Sequence, residues 1–294
     1  MKVLAIIVSY NFMRWIDRCL PSLFGQEDVH PDIMVVDNGS SDGTCSYIRE
    51  HYPQVRLVEN HCNLGFGRAN NVGMKIALDE GYDGVLLLNQ DAWIDSDCLC
   101  RLVKASIEHP QCGILSPVQM AGDHKELEHG FSIYIGKTSV EDIPQDRDIV
   151  EVPFVNAAIW YMPIATLRTV GLFAPLFYHY GEDRDYANRT RYHRLTTAYV
   201  PCAYGCHDRA GRQLTHSALR RSEYVYHLSE YANINYSFAR AFAFGVLATV
   251  KKALKSLVKG QWRSLAMYLG ITTTLIGRSL AVVRTRKHSR RIMV

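Results

Sequence analysis

The segment LLLNQDAWI, residues 86–94, places a carboxylate directly after a run of leucines. The leucines read as a buried strand, which ends in Asn89, Gln90 and Asp91. Mg²⁺ and Mn²⁺ prefer oxygen ligands, and Mg²⁺ commonly takes one or two protein carboxylates while substrate phosphates complete its shell. Asp91 is therefore a candidate metal ligand, although an isolated Asn-x-Asp is more often a helix cap or a surface residue.

A second carboxylate, Asp37, ends the apolar run IMVV and opens the turn DNGSSDG. In open α/β sheets a carboxylate at this place accepts hydrogen bonds from ribose hydroxyls or a base N–H. An ordinary turn Asp would have the same sequence context. The first crossover reads Ser9-Tyr10-Asn11 and lacks Gly-x-Gly-x-x-Gly, so we do not expect a nicotinamide or flavin cofactor.

The stretch GFGRANN, residues 65–71, precedes a predicted helix over Val72–Leu78. Its glycines permit close backbone approach, and Arg68 could contact a nucleotide base or a diphosphate. A glycine pair alone is weak support, and its value comes from lying beside the other loops.

The segment YGEDRD, residues 180–185, opens a predicted helix that ends at Arg191. The unpaired N–H groups of a helix start favour carboxylates. Asp183 and Asp185 point to different sides, so that one can face a substrate while the other pairs with Arg189 four residues later. A carboxylate positioned in this way can act as a general base on an alcohol.

His207 follows an apolar stretch and could complete a metal shell as a neutral imidazole or contact a diphosphate as a cation. Cys202, Cys206 and His207 could also be considered as a zinc site, but a fourth ligand at finger-like spacing is missing. We interpret the eight cysteines as reduced thiols of a cytosolic protein.

Apolar runs alternate with amphipathic helical stretches in the first hundred residues. Four runs are predicted as buried strands, namely Val3–Val8, Ile33–Val36, Val55–Glu59 and Val85–Leu88. This alternation predicts a mostly parallel sheet with helices on both faces. Ligands bind at the carboxyl ends of such strands, where the polar residues 9–11, 37–42 and 89–91 would converge.

Charge divides the chain into two parts, which we predict as a catalytic domain over residues 1–230 and a basic helical region over residues 231–294. The first part carries a net charge of −8, and the second carries +12 with no acidic residue. Such asymmetry indicates an anionic partner surface for the second part.

Within the basic region, a helical wheel separates apolar from basic side chains. The apolar side carries Val246, Leu247, Val250, Leu254, Leu257 and Val258, and the other side carries Lys251, Lys252, Lys255 and Lys259. This pattern is typical of a helix in a membrane interface, and a core-facing helix with a solvated charged face is the alternative. The longest uncharged stretches between basic residues have ten and fourteen residues, fewer than the ~18–20 needed to span a bilayer.

Taken together, the segments over about residues 1–210 resemble the inverting family 2 glycosyltransferases with the GT-A fold. The matching segments are IIVSYN, VVDNGSSDGT, NLGFGRANNVG, LLLNQDAWI, YGEDRDYANR and the later His207. Their form is most similar to the rhamnosyltransferase-like branch of bacterial surface-polysaccharide synthesis. The resemblance implies an α/β GT-A fold, with a central sheet flanked by helices and a basic helical C-terminal extension.

The resemblance also implies roles for single residues. Asp183 would be the catalytic base, Asp91 would anchor a Mg²⁺ or Mn²⁺ ion, and His207 would be a further ligand. Substrate contacts would come from Ser9, Asn11, Asp37, Arg68, Asn89, Trp160 and Glu182, the first four of them around the nucleoside. The family often has Asp-x-Asp where this chain has Asn89 at the first position.

The expected activity is sugar transfer with inversion from dTDP-rhamnose or a UDP-hexose to a hydroxyl of a lipid-linked glycan. The enzyme would work in O-antigen or capsule synthesis, cytoplasmic and peripheral on the inner face of the bacterial membrane, which residues 236–294 would contact.

Two other function classes are open at this point. A sugar nucleotidyltransferase would carry a Gly-rich basic loop after the first strand, and SYNFMRW is not one. A non-catalytic nucleotide-sugar or nucleic-acid binding protein would use the basic tail. The aromatic residues near that tail suit an interface better than base stacking, so we expect no nucleic-acid partner.

Overall fold

Nine strands form one mixed sheet in the part of the chain that the computed structural model describes, residues 1–209 and 216–291. The strands are β1 (Val3–Ser9), β2 (Asp32–Asp37), β3 (Arg56–Glu59), β4 (Gly84–Asn89), β5 (Ala92–Ile94), β6 (Cys112–Met120), β7 (Val150–Glu151), β8 (Ile159–Pro163) and β9 (Thr196–His207). Their order is β3-β2-β1-β4-β8-β6-β9-β5, and β7 pairs with β9.

Helices cover both faces of this sheet. The helices are α1 (Ile16–Phe24), α2 (Thr44–His51), α3 (Phe66–Asp79), α4 (Cys98–Glu108), α5 (His129–Ile135), α6 (Ile164–Val170), α7 (Glu182–Tyr192), α8 (His216–Ala232), α9 (Phe238–Phe242), α10 (Ala248–Val258), α11 (Trp262–Gly277) and α12 (Ser279–Ser289). Alternate residues of β1 enter two separate cores: Ala5 packs with α1, α2 and α4, and Ile6 packs with α3, α6 and α7. The period of two along a strand explains why one apolar run serves both faces.

The four predicted strands are confirmed as β1 to β4, and they pair in parallel in the order β3-β2-β1-β4. The second half of the sheet is mixed, because β8 runs antiparallel to both β4 and β6. Ser9, Asp37 and Asn89 are the last residues of β1, β2 and β4. The predicted polar clusters therefore lie at one carboxyl edge.

Helix α3 begins at Phe66, six residues earlier than predicted, so GFGRANN forms its first turns and not a loop. The glycines serve packing here. A Cβ at Gly67 would lie 3.1 Å from the Phe173 Cβ, and one at Gly73 would lie 2.8 Å from Ile6. Glycine signals a loop in sequence, but inside this helix it permits close approach.

Helices α8, α9, α11 and α12 form a third core with the π-helical turn Ala243–Leu247 and with the segment that precedes α7. Phe177, Leu228, Val246 and Leu275 belong to this one buried cluster. The predicted boundary after residue 230 falls within α8, so the two parts of the chain share a helix and a core.

The C-terminal helix α10 presents its small residues to the protein. Thr249 and Ser256 are buried, and the Thr249 hydroxyl contacts the Thr272 hydroxyl of α11 at 2.7 Å. Leu254 and Val258, by contrast, are 59% and 87% exposed. Of the predicted apolar side, Val246 is buried in the third core and Val250 is half-buried, whereas the remaining four residues face outward.

Candidate active site

Asp37 holds the turn that follows β2. Its Oδ1 accepts a hydrogen bond from the Ser9 hydroxyl at 2.8 Å, and its Oδ2 accepts from the N–H groups of Gly39 and Ser40 at 3.0 and 2.8 Å. Burial would raise the pKa of Asp37, but the hydrogen bonds from Ser40 and Ser9 outweigh burial and lower that pKa. Because both carboxylate oxygens are engaged, Asp37 shapes the turn and does not line the cavity described below.

The loops after β1, β2 and β4 are tied together by side chains. Asn11, with a φ of 56°, accepts from the Ser41 N–H through its Oδ1 at 3.0 Å. The Gln90 amide accepts from the Tyr10 N–H at 2.7 Å and donates to the Tyr10 carbonyl at 3.1 Å. These bonds explain the polar residues Asn11 and Gln90 as braces between loops.

Asn89, Asp91 and His207 form a compact cluster at the carboxyl edge. Strands β5 and β9 pair with Ala92 opposite His207, which brings the imidazole next to the preceding Asp91. The His207 Nε2 lies 3.4 Å from the Asp91 Oδ1 and 3.4 Å from the Asn89 Nδ2. The predicted ligand pair Asp91 and His207 is thus assembled by residues more than one hundred positions apart in sequence.

This cluster has the donor atoms that a divalent cation requires. The Asn89 Oδ1 is buried and lacks a hydrogen-bond partner among the described residues, and the His207 Nε2 faces the Asp91 carboxylate. Asp91, His207 and the Asn89 amide oxygen could hold Mg²⁺ or Mn²⁺, since such ions keep sites for water and phosphate oxygens. No group of three His, Cys, Asp or Glu side chains suited to a metal occurs in residues 1–209 and 216–291.

The start of α7 carries the second acidic cluster. Gly181, with a φ of 89°, leads into Glu182, which is 4% exposed. Burial and the neighbouring charge of Asp183 raise the pKa of Glu182 to about 8. Burial also raises the pKa of Asp183, whose Oδ1 accepts from the Arg184 N–H at 2.7 Å. A raised pKa makes a carboxylate a stronger proton acceptor, which suits the role of a general base.

The predicted division of labour on α7 is confirmed for the structural partner. Asp185 binds the Arg189 Nε at 2.9 Å, and both side chains are 3% exposed. Arg189 also donates to the Val170 carbonyl, which anchors α7 to the end of α6. Asp183 is left on a different side of the helix, where the Ala157 N–H donates to its carboxylate.

The raised pKa of Glu182 predicts a pH-dependent stability difference. Between about pH 5 and about pH 8 the folded protein holds a proton on Glu182 that the unfolded chain has released, so this contribution is lost as pH rises. Glutamine does not titrate, so the free energy of unfolding of Glu182→Gln minus that of wild type should be larger at about pH 8 than at about pH 5. Denaturant titrations at both pH values would measure this, with the exposed Glu126→Gln as the control. An equal difference at both pH values would contradict the prediction.

A cavity of about 580 Å³ opens at the carboxyl edge. One wall contains Ser9, Asn38, Asn89 and Asp91, and the opposite wall contains residues 176–180, part of α8 and Arg278. The second wall is held by Asn71, which exchanges two hydrogen bonds with the Phe173 backbone at 2.8 and 2.9 Å. Of the predicted residues, Ser9, Asn89 and Asp91 line the cavity directly.

The remaining five predicted substrate contacts do not line this cavity, and neither do Asp183 and His207; the five are Asn11, Asp37, Arg68, Trp160 and Glu182. Trp160 is fully buried beside Phe173 and Tyr186, so the prediction that it lines the sugar or acceptor pocket is wrong. Its ring points from β8 into the core beneath α3 and α7. Arg68 is exposed on α3, does not line the cavity, and donates to the Pro175 carbonyl at 3.4 Å.

The sequence analysis missed several residues of the cavity. Arg221 and Arg278 come from the C-terminal helices, and Arg278 is positioned by donating to the Leu176 carbonyl at 2.9 Å. Asn38 and Asn63 lie in the segments DNGSSDG and NLGFGRANNVG but were not predicted to contact substrate. Only their positions on the motif loops could have indicated the asparagines, whereas nothing local marks the arginines.

Comparison with known proteins identifies the family of this chain. The sequence profile described as Glycosyl transferase family 2 matches residues 4–165. The N-acetylglucosaminyl-diphospho-decaprenol L-rhamnosyltransferase of Mycobacterium tuberculosis is 24% identical over 231 residues, which cover 70% of this chain and 75% of that protein. An undecaprenyl-phosphate mannosyltransferase of Micrococcus luteus is 32% identical over 111 residues, which cover 36% of this chain and 44% of that protein.

Solved structures share the fold. The mannosyltransferase PcManGT of Pyrobaculum calidifontis, in complex with GDP-Man and Mn²⁺, has a TM-score of 0.61 at 18% identity, covering 98% of this chain and 86% of its own. The S. aureus TarS fragment 1–349, in complex with UDP-GlcNAc, has a TM-score of 0.58 at 14% identity, covering 99% and 90%. The predicted GT-A fold is confirmed by these likenesses. Because the profile spans more than half of the chain, and its match includes the loops after β1, β2 and β4, the protein belongs to glycosyl transferase family 2.

Proposed function

We propose that the protein transfers a sugar from a nucleotide-diphosphate sugar to a hydroxyl group of a glycan acceptor, with inversion of the anomeric carbon. In a single displacement the acceptor oxygen bonds to the anomeric carbon as the bond to the diphosphate breaks. Asp183 takes the hydroxyl proton, and the nucleoside diphosphate leaves. Supported by the family, this assignment depends most on one observation. Asp91 lines the cavity and lies 3.4 Å from the His207 imidazole, and residues 176–180 of the same cavity directly precede the helix start that carries Glu182 and Asp183.

The cation proposed for this reaction is Mg²⁺ or Mn²⁺. When bound, such an ion stabilises the negative charge that develops on a leaving diphosphate. Asp91, His207 and Asn89 would hold it, and Ser9 and Asn38 would face the nucleoside from the same wall. The mannosyltransferase with GDP-Man and Mn²⁺ supports this pairing of donor and ion.

For the donor we propose dTDP-rhamnose or a UDP-hexose, and for the acceptor a lipid-linked glycan of a bacterial surface polysaccharide such as O-antigen or capsule. The name of the mycobacterial relative combines L-rhamnosyl transfer with a diphospho-decaprenol acceptor. TarS was crystallised with UDP-GlcNAc, which keeps a UDP sugar in consideration.

The direct test is a donor panel. The 294-residue chain would be incubated with sugar nucleotides and lipid-linked glycans, with and without Mg²⁺ or Mn²⁺, and release of nucleoside diphosphate measured. We expect acceptor-dependent release with one donor, stimulation by the cation, and an inverted product by NMR. A product with retained configuration would refute the single displacement.

We further propose that residues 236–294 place the enzyme on the inner face of the bacterial membrane. Exposed Leu254, Leu257 and Val258 lie beside exposed Lys251 and Lys255, so apolar and cationic groups share one outward surface. Such a surface suits an interface with anionic headgroups. No single helix within residues 1–209 and 216–291 has the length and apolarity to cross a bilayer; α11 and α12, bent by 57°, meet these criteria only as a pair.

Membrane contact predicts that serine at Leu254, Leu257 and Val258 lowers binding to phosphatidylglycerol vesicles by about tenfold or more. Substitution is preferable to truncation, because deleting residues from 236 onward would also remove parts of the third core. The control replaces two exposed apolar residues, Ile107 and Ile133, with serine; each is 63% exposed on the body of the protein. Equal vesicle flotation of both variants and wild type would exclude membrane contact through α10.

A further inference from the structure

A second cavity, of about 630 Å³, lies between α7 and the connection from α8 to α9. Its wall is polar and carries three arginines: Arg184 and Arg191 from α7, and Arg240 from α9. Arg184 and Arg191 are seven residues apart, which places them on one face of α7. None of the roles assigned so far uses this cavity.

The three guanidinium groups are only partly compensated by nearby carboxylates, because Arg184 alone interacts electrostatically with acidic residues of the described chain, namely Asp183 and Glu230. None of the ion pairs formed within residues 1–209 and 216–291 includes any of them. Arg184 lies over the Phe154 ring at 4.8 Å and Arg240 over the Tyr236 ring at 4.9 Å, so aromatic faces orient both planes. The single acid on the wall, Glu230, has its pKa raised by burial against the lowering effect of Arg184. The cavity therefore has a net positive charge.

Amide groups complete this wall. The Asn235 Nδ2 donates to the Asn188 carbonyl at 2.8 Å and to the Asn233 Oδ1 at 2.9 Å, which fixes the loop after α8 against α7. The Asn188 Nδ2 is buried and lacks a hydrogen-bond acceptor among the described residues. A buried donor without a partner favours a ligand that supplies an oxygen acceptor.

The position of the cavity relates it to both ends of the proposed reaction. Arg184 directly follows the proposed base Asp183, and Arg240 lies within the region proposed to contact the membrane. The cavity therefore shares α7 with the proposed base and α9 with the region proposed to contact the membrane. Planar guanidinium groups bind phosphate oxygens with two parallel hydrogen bonds, and three of them suit an anion with several charges.

We propose that this three-arginine cavity binds the diphosphate that joins the acceptor glycan to its lipid. This inference rests on the proposed function, because it assumes a lipid-linked acceptor, and it assigns Arg184, Arg191 and Arg240 to acceptor recognition. The donor diphosphate would occupy the first cavity, beside Asp91 and His207.

The test uses farnesyl diphosphate, a short prenyl diphosphate, as the probe, and the 294-residue chain in calorimetric titrations without a sugar donor. The double variant Arg191→Gln with Arg240→Gln removes two charges from the second cavity. A matched double variant, Arg221→Gln with Arg278→Gln, removes two charges from the wall of the first cavity. We expect the first variant to bind the probe about tenfold or more weakly, and the second to bind within about twofold of wild type.

Three results would overturn the proposal: equal binding by all proteins, a larger loss in the Arg221 and Arg278 variant, or binding of farnesol as tight as that of its diphosphate. Phosphatidylglycerol vesicles without the probe form a separate arm. If Arg191→Gln with Arg240→Gln weakened vesicle binding but not probe binding, the site would be one for lipid headgroups and the acceptor assignment would be wrong. Because the titrations need no transfer reaction, they can fail while the donor panel succeeds, and the reverse.

Discussion

Asp183→Asn should lower the rate of sugar transfer by roughly 10²–10⁴-fold, because the amide cannot accept the proton of the acceptor hydroxyl. The substitution preserves shape and an acceptor oxygen, so the hydrogen bond from the Arg184 N–H at 2.7 Å can persist. Donor binding should therefore change little. Transfer measured as kcat/KM for the acceptor, together with Kd for the nucleotide sugar, would separate these effects.

Two further readouts distinguish a base from a structural residue. The rate of the wild type should fall as pH falls through an apparent pKa above the ordinary Asp value, because burial raises the pKa of Asp183 and its pair with Glu182 titrates as a unit. The exposed Asp146→Asn removes the same charge elsewhere and should leave transfer unchanged. Full activity in Asp183→Asn with a true acceptor would eliminate Asp183 as the base.

Asp91→Ala is the second substitution with a large expected effect, a loss of about 10²–10³-fold in transfer. It removes the proposed cation ligand and with it the carboxylate that lies 3.4 Å from the His207 Nε2. The backbone hydrogen bond from the Asp208 N–H to the Asp91 carbonyl at 2.8 Å can remain. Nucleoside diphosphate binding should lose its dependence on Mn²⁺. Calorimetric titration of the nucleotide with and without Mn²⁺ would measure this loss.

A companion variant addresses the asparagine that precedes this site. Asn89→Asp adds a second carboxylate at this site. The Asn89 Nδ2 that it replaces lies 3.4 Å from the His207 Nε2. We expect half-maximal activity at a lower Mn²⁺ concentration, because an added carboxylate raises the affinity of an oxygen site for a hard cation. An unchanged Mn²⁺ requirement in both Asp91→Ala and Asn89→Asp would mean that this cluster does not hold the ion.

Local sequence patterns were sufficient to predict the strands of the first half and the ion pair on α7. The four apolar runs became the parallel strands, because short β-branched and leucine-rich runs between polar turns have few other ways to be buried. The pairing of Asp185 with Arg189 followed from helical spacing alone. Asp91 was placed correctly at the strand end because a buried strand determines where its last residue emerges.

Other predictions failed where burial depends on a distant element. Trp160 looked like a pocket residue, but helices α3 and α7 cover its side of β8. Gly67 was predicted to precede α3, but it lies inside that helix with Phe173 packed against it. Neither contact can be recognised from the residues adjacent in sequence.

By itself the sequence determined the four strands of the first half, the resemblance to the family, and most acidic residues of the site, because these depend on short-range patterns of polarity. Only the tertiary structure decided that Arg221 and Arg278 reach the first cavity and that Arg184, Arg191 and Arg240 surround a second one. The outward turn of the large apolar residues of α10 was likewise decided by packing, since its small residues fit closely against α11. A helix shows its two sides in sequence, but the partner that covers one of them is chosen by long-range contacts.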